Sequence, residues 1–166
     1  MASALRSAKT ARVHLLPPPS LILETLSRLQ PGLQRLGILQ VLRMPTRFIS
    51  DMRLAAEDRG MEIFNEHLES AEELPEHLRA LMKRDIDALW LPPDPLLINP
   101  QSIAVIREFS WSNDIPFYAP TSGLAESGAT ASVAPSFRQI GVAAAIEVRR
   151  ILAGDRIQQD VYPSQI

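Results

Sequence analysis

The 166-residue sequence contains no cysteine, which excludes disulfides, zinc–thiolate centres and thiol nucleophiles. It also lacks an excess of positive charge, because 17 lysine and arginine residues stand against 19 acidic residues and the net charge is −2. Nucleic acid is therefore not an expected partner. No stretch approaches the roughly 20 apolar residues that a membrane-spanning helix needs. The N-terminal residues 1–12 carry scattered positive charge without an apolar stretch, so they do not predict a secretory signal.

Motifs that bind nucleotides or form active sites are missing as well. The sequence has no GxGxxG dinucleotide fingerprint, no Walker A motif and no GxSxG nucleophile elbow. His14, His67 and His77 lie far apart without the spacing of metal ligands. We therefore expect a protein that has no catalytic activity and binds neither a cofactor nor a metal.

The composition that remains is typical of a globular protein. Hydrophobic residues make up 46% of the chain and charged residues 22%, which is enough apolar material for one core. The 14 prolines outnumber the 7 glycines, and they cluster at residues 17–19 and 92–95, where they mark boundaries. We predict a leader or linker over residues 1–19 and a single α/β lobe over residues 20–166.

Short apolar segments alternate with amphipathic ones along that lobe. The predicted strands cover residues 36–39, 61–64, 85–91, 115–119 and 130–134, and the predicted helices cover residues 21–30, 47–56, 71–84, 100–109 and 137–153. The strands are apolar throughout, which is typical of a parallel sheet covered by helices on both faces. The sequence therefore predicts a three-layer α/β/α sandwich with about five parallel strands.

Several predicted helices begin at residues that favour capping. Glu73 follows Ser70 by three residues, which is the spacing of a capping box, and Asn99 is followed by proline at the first helical position. The residues predicted as N-caps are Ser20, Thr46, Ser70, Asn99 and Ser136.

Ligands of open parallel sheets lie beyond the carboxyl ends of the strands, and four residues are candidates there. Asp94 follows the third predicted strand, Thr121 and Ser122 follow the fourth, and Ser136 follows the fifth. Hydroxyl groups and backbone N–H groups at helix starts suit a carboxylate, while Asp94 suits an ammonium group. The alternative is structural, because such hydroxyl residues usually cap helices and an acid beside proline usually forms a turn.

Four segments, in order, carry a family resemblance. They are PPPSLILETLSRLQPGLQRLGIL at residues 17–39, DALWLPPD at 87–94, DIPFY at 114–118, and GATASVAPSFRQIG at 128–141 followed by RILAG at 150–154. From about residue 12 to the C terminus, the chain resembles ABC-transporter substrate-binding proteins of the subfamily associated with tryptophan, tyrosine or uncharacterised solutes. It departs from the family at Ser136, where an acid is frequent, and near Gln40, where a tyrosine is frequent.

The resemblance implies the type I periplasmic-binding-protein fold, in which two Rossmann-like lobes close on a solute that is then passed to a membrane permease. Because family members carry a whole lobe before this region, the chain resembles the second lobe only. The implied ligand is a small solute such as an amino acid, with no cofactor and no catalysis. The implied partners are an ABC permease and a first lobe, and the implied location is the periplasm or cell envelope.

A second hypothesis is a stand-alone regulatory or protein-interaction domain that kept the fold and lost transport. A lone lobe exposes the apolar surface that its partner would cover, which favours self-association into a homo-oligomer. Leu96, Leu97 and Ile98 are the predicted residues of that surface.

Overall fold

The computed structural model describes residues 11–158 and 160–164. The strands are β1 (Arg12–Val13), β2 (Arg35–Gln40), β3 (Glu62–His67), β4 (Ala88–Trp90), β5 (Phe117–Ala119), β6 (Ala131–Ser132) and β7 (Asp160–Val161). The helices are α1 (Pro19–Leu29), α2 (Thr46–Glu57), α3 (Leu74–Met82), α4 (Pro100–Ser112), α5 (Ser122–Glu126) and α6 (Phe137–Leu152), with a 3₁₀ turn at Ala71–Glu73.

Five of the strands form one parallel sheet in the order β3-β2-β4-β5-β6, which confirms the predicted fold class. The strand order reverses at β2 and β4, which lie side by side, so the sheet has the switch point of a doubly wound fold. All the carboxyl ends therefore lie along one edge, with the loops that follow them.

The core consists of two apolar clusters, one for each face of the sheet. Leu89 and Phe117 belong to the cluster that includes α3 and α4, whereas Trp90 and Tyr118 belong to the cluster that includes α1 and α2. Neighbouring residues of a strand thus join opposite clusters, as the pleat requires. Both faces are apolar because both are covered, which is the condition that the sequence analysis inferred.

The predicted caps at Asn99 and Ser136 are confirmed. The Asn99 side chain accepts a hydrogen bond from the Ser102 backbone N–H, and Pro100 occupies the first position of α4. Ser136 and Gln139 form a complete capping box at the start of α6. In both cases the cap residue and its partner are three residues apart, so local sequence is sufficient to specify the contact.

Two other cap predictions, at Ser20 and Thr46, are wrong. Helix α1 begins two residues earlier than expected, with Pro18 as N-cap and Pro19 inside, so Ser20 is already helical. Thr46 is likewise the first residue of α2, after Pro45. A preset φ angle and a missing N–H are both tolerated at a helix start, which lets proline begin these helices without a side-chain cap.

The expected capping box at Ser70 does not form either. Ser70 precedes the 3₁₀ turn without a side-chain capping bond, and the Glu73 carboxylate instead accepts from the Glu69 backbone N–H at 2.9 Å. Regular α-helix begins at Leu74, beside Pro75.

The predicted strand at residues 85–91 is only three residues long. Asp85 takes a left-handed backbone conformation with φ of 51°, which ends the preceding turn and delays the strand. The Asp87 carboxylate accepts hydrogen bonds from the backbone N–H groups of Gln34 and Arg35, so this residue anchors the start of β2. The charged side chain of Asp87 therefore holds a turn, and β4 begins only at Ala88.

Helix α6 stands apart from the large sheet. Among the described residues, its main element contacts are with β1 and β7, which pair with each other in a separate parallel ladder, and Glu147 is its one buried residue. Residues on both sides of the predicted boundary at 19 thus take part in one small unit, and the boundary itself stays a prediction.

The apolar surface expected at residues 96–98 is only partly present. Leu96 is 51% exposed, but Leu97 is wholly buried in the core beside α4, so its assignment to the surface is wrong. Larger exposure is found on α6, where Phe137 and Leu152 are 86% and 82% exposed. Within the described residues, no helix combines the length and apolarity of a membrane span.

Candidate functional site

A cavity of about 370 Å³ lies where β5 and β6 end. Three of the four residues predicted from the sequence, Thr121, Ser122 and Ser136, line it. They reach it from two different connections, one between β5 and α5 and one between β6 and α6. The cavity therefore occupies the edge of the sheet at which parallel α/β folds bind ligands, and its volume is within the range of small-molecule sites.

The hydroxyl groups at this site differ in their engagement. Thr121 is the N-cap residue of α5, but its side chain makes no capping hydrogen bond, which leaves the hydroxyl available to a ligand. The Ser136 hydroxyl accepts from the Gln139 N–H at 3.2 Å, while the Gln139 side chain accepts from the Ser136 N–H at 2.6 Å. Ser136 thus caps α6 and lines the cavity at once.

Apolar side chains form most of the wall, and the sequence analysis missed them. Pro120 comes directly after β5 and Pro135 three residues after β6; both are buried, and their position after an apolar run was a usable indication. Leu15 and Leu16 come from the segment after β1, which no local pattern connects with this edge. The further lining residues are Pro93, Ser132, Ala134, Phe137, Gln139 and Ile140.

Asp94, the fourth predicted residue, is not among the lining residues. It is 2% exposed, and one carboxylate oxygen accepts from the backbone N–H groups of Val41 at 2.6 Å and Leu42 at 2.7 Å. The other oxygen accepts from the Leu96 N–H at 3.0 Å. These contacts fix the loops after β2 and β4, and contact between Asp94 and a solute stays a prediction.

The cavity wall is electrically neutral. Among the described residues, those that line it include neither an acid nor a base. The described part of the chain also contains no group of three or more histidine, aspartate or glutamate side chains placed to hold a metal ion. The polar groups of the site are hydroxyls and one amide, which can donate and accept hydrogen bonds but supply no full charge.

Polar residues at the opposite end of the same edge form a separate cluster. Gln40 is buried at the end of β2, where its amide donates to the Asn65 side chain at 2.9 Å and accepts from the Met44 N–H at 2.8 Å. His77 lies 2.7 Å from the Glu66 carboxylate. None of these residues lines the cavity, and their contacts hold the local structure at the ends of β2 and β3.

The sequence matches the profile of the family described as ABC transporter substrate binding protein over residues 23–165. No protein of curated function is significantly similar to the chain in sequence. The match includes every strand of the large sheet and all the hydroxyl residues that line the cavity.

Solved structures share the fold at low sequence identity. An ABC domain from Streptococcus pneumonia in complex with L-Trp is 20% identical, with a TM-score of 0.64, and the match covers 92% of this chain and 50% of that one. A conserved domain protein from Vibrio cholerae is 17% identical, with a TM-score of 0.66 and coverage of 93% and 53%. The ligand-free, open form of a Clostridium difficile substrate-binding protein with adhesive properties is 17% identical, with a TM-score of 0.65 and coverage of 99% and 58%. The chain spans only 50–58% of the length of these three proteins.

Proposed function

This chain belongs to the ABC transporter substrate binding protein family, and from that premise we propose that it is one lobe of the substrate-binding component of an ABC-type import system. Its ligand is a small solute such as an amino acid, held at the carboxyl ends of the strands. The observation that carries the proposal is the cavity that collects Thr121, Ser122 and Ser136 from separate connections. Binding sites between lobes need such a concave half-site on each lobe.

The role is binding without chemistry. The family is one of substrate-binding, non-catalytic proteins. The neutral lining of the cavity agrees with this role, because acid–base and nucleophilic catalysis both require a titratable or activated group within reach of the substrate. The site holds its solute reversibly, and a cofactor has no task in it.

The partners follow from the half-site. Closure of a second lobe over the cavity would bury the remaining surface of the solute, and a membrane permease would then receive it. Members of this family are typically extracellular or periplasmic, so the proposed location is the periplasm or cell envelope. Binding by this chain alone is expected to be weak, with a dissociation constant of about 1 mM, because one lobe supplies only part of the contacts.

Ligand-observed NMR on the full chain tests the proposal. The panel contains aromatic and branched amino acids, small peptides and simple carboxylates, each titrated to high concentration. We expect saturable binding of one class and its loss in a Thr121→Ala variant. A Ser112→Ala variant, at the end of α4, is the control and retains binding. Silence across the whole panel would contradict a solute-binding role for this chain.

One observation favours a second candidate function, a regulatory or interaction domain that associates with itself. Phe137, Val148 and Leu152 lie on one stripe of α6 and are 86%, 54% and 82% exposed. In the importer this stripe is available to the first lobe, whereas in an interaction domain a second copy of the chain covers it. A chain that stays monomeric in sedimentation at high concentration would contradict the second candidate.

A further inference from the structure

The absence of charge at the cavity bears on which part of a solute the lobe recognises. The acid expected to meet an ammonium group, Asp94, is turned inward, where its two oxygens accept from three backbone N–H groups. No other acid is among the described residues that line the cavity. An ammonium group placed there would lose its hydration without gaining a carboxylate, which is unfavourable.

A carboxylate finds no cation in the cavity either. No lysine or arginine is among its described lining residues. At the start of α6 two of the backbone donors are unavailable, because the N–H groups of Ser136 and Gln139 donate within the capping box. No charged side chain among the described lining residues is therefore available to either end of a zwitterion.

An apolar group, in contrast, meets a prepared surface. The buried residues Pro120 and Pro135 form part of the cavity wall, and Leu16 and Ile140 add aliphatic side chains to it. The hydroxyls of Thr121 and Ser132 stand among them as neutral donors and acceptors. Such a lining removes apolar surface from water and orients it by one or two weak polar contacts.

We propose that this lobe binds the uncharged, apolar body of its solute and does not select on the solute's charge. The inference rests on the proposed function, and it assigns recognition of the amino and carboxylate groups to whatever closes over the cavity. Thr121 is the specificity-determining position at the rim, because its hydroxyl is not used in a cap and its position is exposed.

Four probes that share a phenyl ring test the inference on the full chain by ligand-observed NMR at low ionic strength: 2-phenylethanol, 3-phenylpropionate, 2-phenylethylamine and L-phenylalanine. We expect dissociation constants that agree within about threefold, since a matched charge would change them by about tenfold or more.

A variant that carries a charge at the rim of the cavity provides the second part of the experiment. Thr121→Asp is expected to tighten binding of 2-phenylethylamine and weaken binding of 3-phenylpropionate by about threefold each, through simple charge attraction and repulsion. Thr121→Asn is the matched neutral reference: it lacks the threonine hydroxyl just as Thr121→Asp does, and the threefold changes are measured from its dissociation constants. Aspartate and asparagine are both favourable at an N-cap, so each variant retains α5, which a two-dimensional amide spectrum verifies.

Each result is decisive. Similar affinities together with opposite shifts in Thr121→Asp support the inference. A tenfold or larger preference for one charged probe, or an unchanged response to Thr121→Asp, overturns it while solute binding stands. If none of the phenyl probes binds but another solute of the wider panel does, the inference is also overturned. If nothing binds at all, the proposed function fails with it.

Discussion

The Asp94 carboxylate accepts a hydrogen bond of 2.6 Å from the backbone N–H of Val41, and the two residues follow neighbouring strands of the sheet. The same oxygen accepts from Leu42, and the second oxygen accepts from Leu96 within its own loop. One buried acid thus holds the loops after β2 and β4 in a fixed relation. Hydrogen bonds to an ionised acceptor are among the stronger ones in proteins, so this group organises the edge of the sheet.

Replacement of Asp94 is expected to destabilise the protein. Asp94→Ala leaves three backbone donors without their acceptor, and we expect the free energy of unfolding to fall by about 2–4 kcal/mol. Asp94→Asn keeps one accepting oxygen and is expected to cost about half as much. Urea unfolding followed by circular dichroism measures both.

The same variants separate a structural role of Asp94 from direct contact with a solute. If Asp94→Asn weakens binding of 2-phenylethylamine but not of 2-phenylethanol, while stability is unchanged, then the carboxylate meets the ammonium group. Loss of stability with equal effects on both probes supports the structural role.

Two glycines are expected to respond to alanine in opposite directions. At Gly37, within β2, an added Cβ would lie 2.9 Å from Ile86 Cδ1 and 3.0 Å from Leu89 Cδ2. These are flexible side-chain ends in a packed core, so Gly37→Ala is expected to destabilise by about 1–2 kcal/mol. At Gly141, within α6, an added Cβ would meet nothing within 4 Å, and Gly141→Ala is expected to stabilise by about 0.5–1 kcal/mol.

Thermal unfolding of both variants, followed by circular dichroism, provides the measurement. A neutral Gly37→Ala would mean that the core above β2 is looser than the distances indicate. A destabilising Gly141→Ala would show that this part of α6 packs against something in solution.

Acid is expected to weaken the pairing of β1 with β7. The hydrogen bond from His14 lowers the pKa of Asp160, and the nearby charges of His14 and Arg12 act in the same direction, against a smaller opposing effect of burial. A carboxyl group whose pKa is lower in the folded protein than in the unfolded chain stabilises the fold when the pH is above the unfolded pKa of about 3.9. That contribution disappears as the pH falls through the lower folded value.

The measurement compares the wild-type chain with Asp160→Asn in urea unfolding between pH 5 and pH 2. We expect the free energy of unfolding of the wild type to exceed that of Asp160→Asn by about 0.5 kcal/mol or less, because the Asp160 side chain is half exposed. This difference is expected to vanish toward pH 2. Asp155→Asn, in the same C-terminal segment, controls for the loss of one negative charge. An advantage that persists at pH 2 would show that the His14 contact does not depend on ionised Asp160.

The exposed stripe of α6 is expected to mediate whatever self-association the isolated chain shows. Val148 lies on the stripe, and Val142 lies on the flank that faces β7, yet they are almost equally exposed at 54% and 52%. Val148→Glu is expected to weaken association by about tenfold, because it places a charge in the apolar contact. Val142→Glu is the matched control and leaves association unchanged.

Sedimentation velocity over a range of protein concentrations distinguishes these outcomes. Equal effects of both variants would place the contact elsewhere on the surface. Association that neither variant changes would point instead to the partly exposed residues near Leu96.

Most of the layer architecture is readable from local patterns. The fully buried strands β4 and β5 are continuous apolar runs, and Asn99 and Ser136 meet their capping partners within three residues. The errors at Ser20 and Thr46 have a common cause, since proline immediately before each residue begins the helix without a cap. Strand lengths were overestimated where an acid, as at Asp87, bonds to a distant turn.

The sequence by itself determined the fold class and three residues of the cavity, because parallel packing places every loop after a strand on one edge. Only the tertiary structure decided that Asp94 faces inward, since its donors at Val41 and Leu42 are more than 50 residues away in the chain. It also decided that Leu15 and Leu16 complete the cavity wall and that α6 leaves the sheet for β1 and β7. Those contacts join segments that are far apart in the chain, whereas the hydrophobic periodicity of a sequence indicates only the local structure of neighbouring residues.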